Sequence, residues 1–171
     1  MSRRLKFRGE SLNKVDGKGR VSIPASFRRV LEAGDPDWQE GQQPNLVIVY
    51  GNTSANYLEC YTISEMEEIE DRISRMKRGP RRRLLERIYS SGSNTMSVDE
   101  TGRIVLSAKL REKAGIDGEA QFASTINSFQ IWNPATYEAE ALGGLEEMLE
   151  EQDDDFHPLD YLDADEDEEM A

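Results

Sequence analysis

The 171-residue sequence holds a single cysteine and a single histidine, which argues against a disulfide framework, a Cys/His metal site or a His-based catalytic triad. Its formal net charge of −13 is unevenly laid out: residues 1–135 carry all 21 Lys and Arg against 18 acids, and residues 136–171 carry 16 acids with no Lys or Arg. No apolar run approaches the ~20 residues of a membrane span, and the opening MSRRLKFRGES has no signal-like stretch, so a reducing cytoplasm with no membrane partner is expected.

Along the chain, the first landmark is VDGKGRVSIPASFRR at residues 15–29. Asp16, Gly17, Lys18 and Gly19 are turn formers between β-rich flanks, which predicts a hairpin tip. Pro24 near the start and Gly34 beyond the end bracket a short helix. Residues 35–45, DPDWQEGQQPN, read as a loop before the strands LVIVYG and YLECY. Ser64 and Glu67 form a candidate capping box for a helix that sets Met66, Ile69, Ile73 and Met76 on one face. Gly79-Pro80 breaks the chain before a second helical stretch with Leu84, Leu85 and Ile88.

The tip then recurs as VDETGRIVLSAKLRE at residues 98–112. Ser107 is a candidate N-cap and Gly115 a candidate C′ residue for the helix that follows. The strands QFASTI and SFQIW come next, and Asn133-Pro134 opens a last helix expected to turn Tyr137, Ala141, Leu145 and Met148 inward. Tyr57, Tyr61, Phe129 and Trp132 fall at matching strand positions and read as core. Beyond about residue 150 the acidic composition predicts no structure.

An offset of 83 superimposes Val15-Asp16, Gly19-Arg20, Ala25 and Arg28 on Val98-Asp99, Gly102-Arg103, Ala108 and Arg111, and an offset of 71 aligns Tyr61 with Trp132. The chain is a duplication, and the sensible parse is a unit at 7–78, a helical connector at 79–89, a second unit at 90–150 and an acidic tail at 151–171.

The chemistry gathers at the first tip. Residues 1–34 carry nine Lys and Arg against three acids, Arg3 and Arg4 among them. Arg8, Lys14, Lys18, Arg20, Arg28 and Arg29 surround one exposed turn, a pattern suited to neutralising phosphates, and an Arg at a strand edge can reach a guanine. Asp16, Gly19, Asp99 and Gly102 are assigned to building the turns. Arg103 is the matching Arg of the less basic second tip, where Glu100 and Thr101 stand for Gly17 and Lys18. A rival basic stretch at residues 72–87 has eight bases and one acid, but its Leu84, Leu85 and Ile88 need a surface to cover, which favours packing or subunit contact. Cys60, inside an apolar run, reads as core. No phosphate-binding loop, calcium loop or nucleophile–base pair is present, so neither an enzyme nor a cofactor is expected.

Phe7-Arg8-Gly9, the two Asp-x-x-Gly-Arg units, the Ile-Pro after the first and the closing FQIWNPATYE together resemble the MraZ family of bacterial transcription regulators, from about Phe7 to about Leu149. The resemblance implies an α+β fold of two tandem AbrB-like β-barrel units with flanking helices. It also implies a ring-shaped homo-oligomer bound to short G-containing direct repeats in double-stranded DNA. Such repeats precede the division and cell-wall gene cluster, and the implied outcome is repression of the protein's own operon from a cytoplasmic, nucleoid-associated position. Carried onto this chain, Arg20 is the DNA-contact candidate. The competing reading is an antitoxin-like protein whose C-terminal tail grips a protein partner.

Overall fold

The computed structural model describes residues 5–163; Arg3, Arg4 and the last eight residues of the acidic tail lie outside them. Two compact bodies result, one ending at Thr136 and the other starting at Tyr137. The first holds eight strands: β1 Glu10–Lys14, β2 Arg20–Ser22, β3 Asn45–Val49, β4 Tyr57–Tyr61, β5 Ser93–Ser97, β6 Arg103–Val105, β7 Glu119–Ser124 and β8 Ser128–Trp132. Its helices are α1 Ala25–Ala33, α2 Ile63–Ser74, α3 Pro80–Glu86, α4 Ala108–Ala114 and the single turn α5 Pro134–Thr136. A wider helical turn, Arg87–Ser91, continues α3.

The duplicated halves do not make separate sheets. Six strands form one antiparallel sheet in the order β1-β7-β8-β4-β3-β5, and β2 pairs with β6 in a two-stranded ribbon. Each half therefore lends its first strand to the other: Glu10 lies opposite Ala123 and Ser93 opposite Val49. Exchanging the halves maps the sheet order onto its own reverse, and two cross-strand pairs map onto themselves, Glu59 with Gln130 and Val21 with Ile104. The units at 7–78 and 90–150 describe the repeat in the sequence, whereas the packing unit joins both. A unit of about 60 residues buries only a marginal share of its surface when it folds alone, and exchanged strands create one larger core.

That core lies between the sheet and the ribbon. Leu46, Ile48, Leu58, Phe122, Phe129 and Ile131 from the sheet meet Val21 and Ile104 from the ribbon and Phe27, Leu31 and Leu110 from α1 and α4. Phe27 of the first half packs on Phe129 of the second, with ring centroids 5.0 Å apart. Cys60 is fully buried in the same cluster. Of the four aromatic positions read as core, Phe129 and Trp132 are buried, while Tyr57 and Tyr61 are half-exposed on the outer face of β4. There Val47, Val49 and Met66 form a smaller cluster with Ile69, Ile88 and Tyr89.

Local differences have local causes. α2 starts at Ile63, because the Thr62 hydroxyl accepts from the Glu65 N–H at 3.1 Å and caps it before Ser64 can. Ser107 caps α4 through the Leu110 N–H at 3.3 Å, and Gly115 ends it in the left-handed region. Loop 35–45 is pinned by buried Asp35, whose carboxylate accepts from the Asn45 N–H at 2.9 Å and the Asp37 N–H at 3.1 Å.

In the second body Tyr137–Leu142 and α6, Gly143–Glu150, are helical. Leu145 and Met148 are exposed, not inward-facing. Residues 151–159 adopt turns and 160–163 a single helical turn where no structure was expected, with the Phe156 N–H donating to the Asp153 carbonyl and the Asp160 N–H to the His157 carbonyl, both at 2.9 Å. Asp and Pro supply that turn chemistry locally.

Glycine is required where the halves lock. Gly19 has φ +85°, and a Cβ there would lie 2.0 Å from the Leu106 carbonyl oxygen; Gly102, at φ +80°, is covered by the Arg28 guanidinium. Gly19→Ala is expected to cost about 2–3 kcal/mol in urea unfolding, through strain and clash together. Gly17→Ala, in open space, is expected to stay within about 1 kcal/mol of wild type.

Candidate nucleic-acid interface

The ribbon brings the two Asp-x-x-Gly-Arg units together. Arg20 lies opposite Val105, Val21 opposite Ile104, and Ser22 opposite Arg103. Val21 and Ile104 are buried, so strand alternation turns Arg20, Ser22, Arg103 and Val105 to the other, outward face. The two arginines sit on one diagonal of that face, about 7–8 Å apart by strand geometry. Ser22 and Val105 take the other diagonal, and Val105 is 53% exposed.

Each turn is built around its aspartate. Asp16 Oδ1 accepts from the N–H groups of Lys18 and Arg20 at 3.0 and 2.9 Å, and its Oδ2 accepts from Arg20 Nε at 2.6 Å. Asp99 Oδ1 accepts in the same way from the N–H groups of Thr101 and Arg103 at 2.8 and 2.9 Å. The backbone N–H and then the side chain of Arg20 pull the Asp16 carboxyl from its ordinary 3.8 to about 2. The Arg103 N–H and then the Thr101 hydroxyl lower that of Asp99. Both are anionic anchors of their turns, and Asp16 also fixes its arginine by the inner nitrogen. Among the described residues, the two outer nitrogens of Arg20 have no protein partner.

The two tips differ where their sequences differ. Thr101 captures Arg103 Nε at 2.8 Å, and the Asp99 carboxylate stands off at 3.6 Å. Lys18 offers no acceptor, so Arg20 closes on Asp16.

The aspartates and glycines set the turns, as their residue types imply. Each glycine also lets a helix of the opposite half approach. Leu106 N–H donates to the Gly19 carbonyl at 2.7 Å and Ile23 N–H to the Gly102 carbonyl at 2.9 Å. Arg111 Nε lies beside Gly19 and donates to the Leu106 carbonyl at 3.1 Å. Arg28 occupies the equivalent place beneath Gly102, its Nε buried with no hydrogen-bond partner among the described residues. Arg28 thus belongs to the scaffold and leaves the exposed basic set.

Lys18 is exposed at the first tip, and Lys14 is exposed at the end of β1 that leads into it, opposite Glu119. Arg8 is exposed but precedes β1. Six residues of extended chain place it about 20 Å from Lys14, away from the tip. Ser22 and Val105 were missed at sequence level. Alternation gives their side of each strand, but only the β2–β6 pairing places them between the arginines.

Among known proteins, a family model described as "MraZ protein, putative antitoxin-like" matches residues 90–155. A protein named transcriptional regulator MraZ from Ruegeria pomeroyi is 56% identical over 165 residues, covering 96% of this chain and 98% of its own length. The chain belongs to the MraZ family. More distant members of the same name, from Rhodospirillum rubrum and Syntrophobacter fumaroxidans, are 37% and 32% identical, each covering 78% of this chain and 83% of its own. MraZ relatives thus match the repeat-bearing body far beyond the two short motifs.

The lowered Asp16 carboxyl gives a pH test. A depressed folded pKa contributes stability that is complete above the ordinary 3.8 and is lost as pH falls through about 2. Asp16→Asn is expected to be less stable than wild type at about pH 5 and to converge on it toward about pH 2. Urea titrations at stepped pH check this, and a gap constant across the window contradicts it.

Proposed function

We propose that this MraZ-family chain is a DNA-binding regulator of transcription that acts through the β2–β6 ribbon. The observation that carries the reading is the placement of Arg20 and Arg103 on one outward face, each with its backbone N–H held by the aspartate of its turn. A two-stranded ribbon fits the major groove, which is about 12 Å wide, and an arginine fork can pair with guanine O6 and N7. Asp16 holds Arg20 by Nε and leaves the two outer nitrogens for that edge. Lys18 and Lys14 flank the tip as phosphate contacts. Arg8, at the far end of β1, serves at most a phosphate further along the duplex. The protein binds and does no catalysis.

The target in this reading is a set of short direct repeats upstream of the protein's own operon, in the division and cell-wall cluster, and the outcome is repression. One ribbon neutralises few phosphates and binds weakly at physiological salt. A ring of copies presents many ribbons, and repeats at matching spacing convert weak contacts into tight binding through effective concentration. A cytoplasmic, nucleoid-associated location follows from that partner.

A second reading rests on the acidic segment, where Leu159, Tyr161 and Leu162 are 62%, 47% and 62% exposed. Apolar side chains on an acidic segment suit a protein partner of the antitoxin–toxin kind. A partner co-purifying with the full chain, and lost on deleting residues 152–171, is its signature.

Gel shifts with the DNA upstream of the protein's own gene test the main reading. Arg20→Ala is expected to lose at least about tenfold in specific binding, the effect of one lost base contact. Its melting temperature and oligomeric state should stay, since a solvent-exposed ion pair adds little to stability. Lys18→Ala is expected to weaken all sequences alike and to flatten the salt dependence. Wild-type affinity in Arg20→Ala contradicts the assignment.

A further inference from the structure

On the sheet face opposite the core, a cleft of about 350 Å³ opens beside β4 and β8. Tyr57, Tyr61, Tyr89, Glu59 and Gln130 are among the residues that line it. Glu59 and Gln130 face each other in register at the place where the duplicated halves meet. The Glu59 carboxylate accepts from the Ser128 hydroxyl at 2.8 Å and from Gln130 Nε2 at 3.4 Å, and it is hydrogen-bonded to Tyr61. Trp132 Nε1 donates to Gln130 Oε1 at 2.9 Å, which fixes which end of that amide faces Glu59.

Every one of these donors is neutral. No Lys or Arg lines the cleft, and among the described residues none pairs with Glu59. Two lysines of α4 come to the rim, and both are engaged elsewhere. Lys109 lies 5.0 Å from the Tyr50 ring centre, and Lys113 donates to the carbonyls of Asn52 and Ala55 at 2.8 and 2.5 Å. A half-buried carboxylate with oriented neutral donors and no counter-ion is an electrostatic deficit. Burial first, and the Glu59 charge second, push the Tyr57 and Tyr61 hydroxyls above their ordinary range, so both stay neutral.

We propose that this cleft binds a small organic cation of the alkylammonium class. The ammonium head meets Glu59, and the carbon chain lies against the tyrosine rings, whose faces attract positive charge. The volume suits a small ligand. A metal ion fits poorly, because the cleft offers one carboxylate, and no group of three or more metal-ligating side chains occurs among the described residues. The site is separate from the ribbon, so it stands whether or not the DNA assignment does.

The test is titration of the full chain, without DNA, with n-butylammonium and with putrescine, followed by calorimetry and amide chemical shifts. Saturable binding at one site per chain is expected, with shifts centred on β4 and β8 and no binding of the neutral alcohol 1-pentanol. Glu59→Gln, which keeps size, removes the charge and turns one accepting oxygen into an NH2 donor, is expected to weaken binding by at least about tenfold, and Tyr89→Leu by severalfold. Melting temperatures of both variants are compared with wild type, and Tyr89→Leu decides the matter if Glu59→Gln fails to fold. The proposal falls if neither cation saturates, if 1-pentanol binds equally well, or if the folded variants bind as wild type does.

Discussion

The antiparallel contact of Val21 with Ile104 is what the rest of the molecule hangs on. At that pair the two halves of a duplicated chain meet, and the short strands on either side have no other sheet to join. Burying both side chains forces the neighbouring residues outward, which is how Arg20 and Arg103 come to share one face. The same pairing brings each glycine of a turn against the opposite half's helix. Side chains of Arg111 and Arg28 then fill positions that any Cβ at residue 19 or 102 would obstruct.

Much of this architecture was legible one segment at a time. Turn chemistry, capping residues and periodicity are local, so both hairpin tips, the helices that follow them and most strands can be read from the sequence. Strand exchange could not be read, because β1 has the same alternation whether it pairs within its own half or with β7. Only burial across the whole chain decides between those pairings, and no local pattern encodes it. The Thr62 cap illustrates the same limit at small scale: Thr62 and Ser64 are both plausible caps, and the backbone decides between them.

Arg28 is the instructive case at the candidate interface. Counted with its neighbours it adds to a basic patch, yet it lies beneath Gly102 and supports the second tip. A signal was present, since Arg28 and Arg111 recur at the same offset as Gly19 and Gly102. Arg20 and Arg103 recur at that offset too, so it is the packing against Gly19 and Gly102 that assigns Arg28 and Arg111 to the scaffold. Lys18, replaced by Thr101 in the second copy, is a surface variable, and its replacement changes how firmly the aspartate holds the arginine. The two tips therefore share a frame and differ in charge.

A single measurement separates the ribbon from the rival basic stretch around α3. Cys60 is buried, and burial pushes its thiol well above the ordinary range, so an introduced surface cysteine can be labelled selectively. A photo-crosslinker attached at Val105→Cys, between the two arginines, is compared with one at Leu84→Cys, which is 60% exposed on α3. With DNA from upstream of the gene, crosslinking from position 105 and none from position 84 is the predicted result. Crosslinking from position 84 alone would contradict the account.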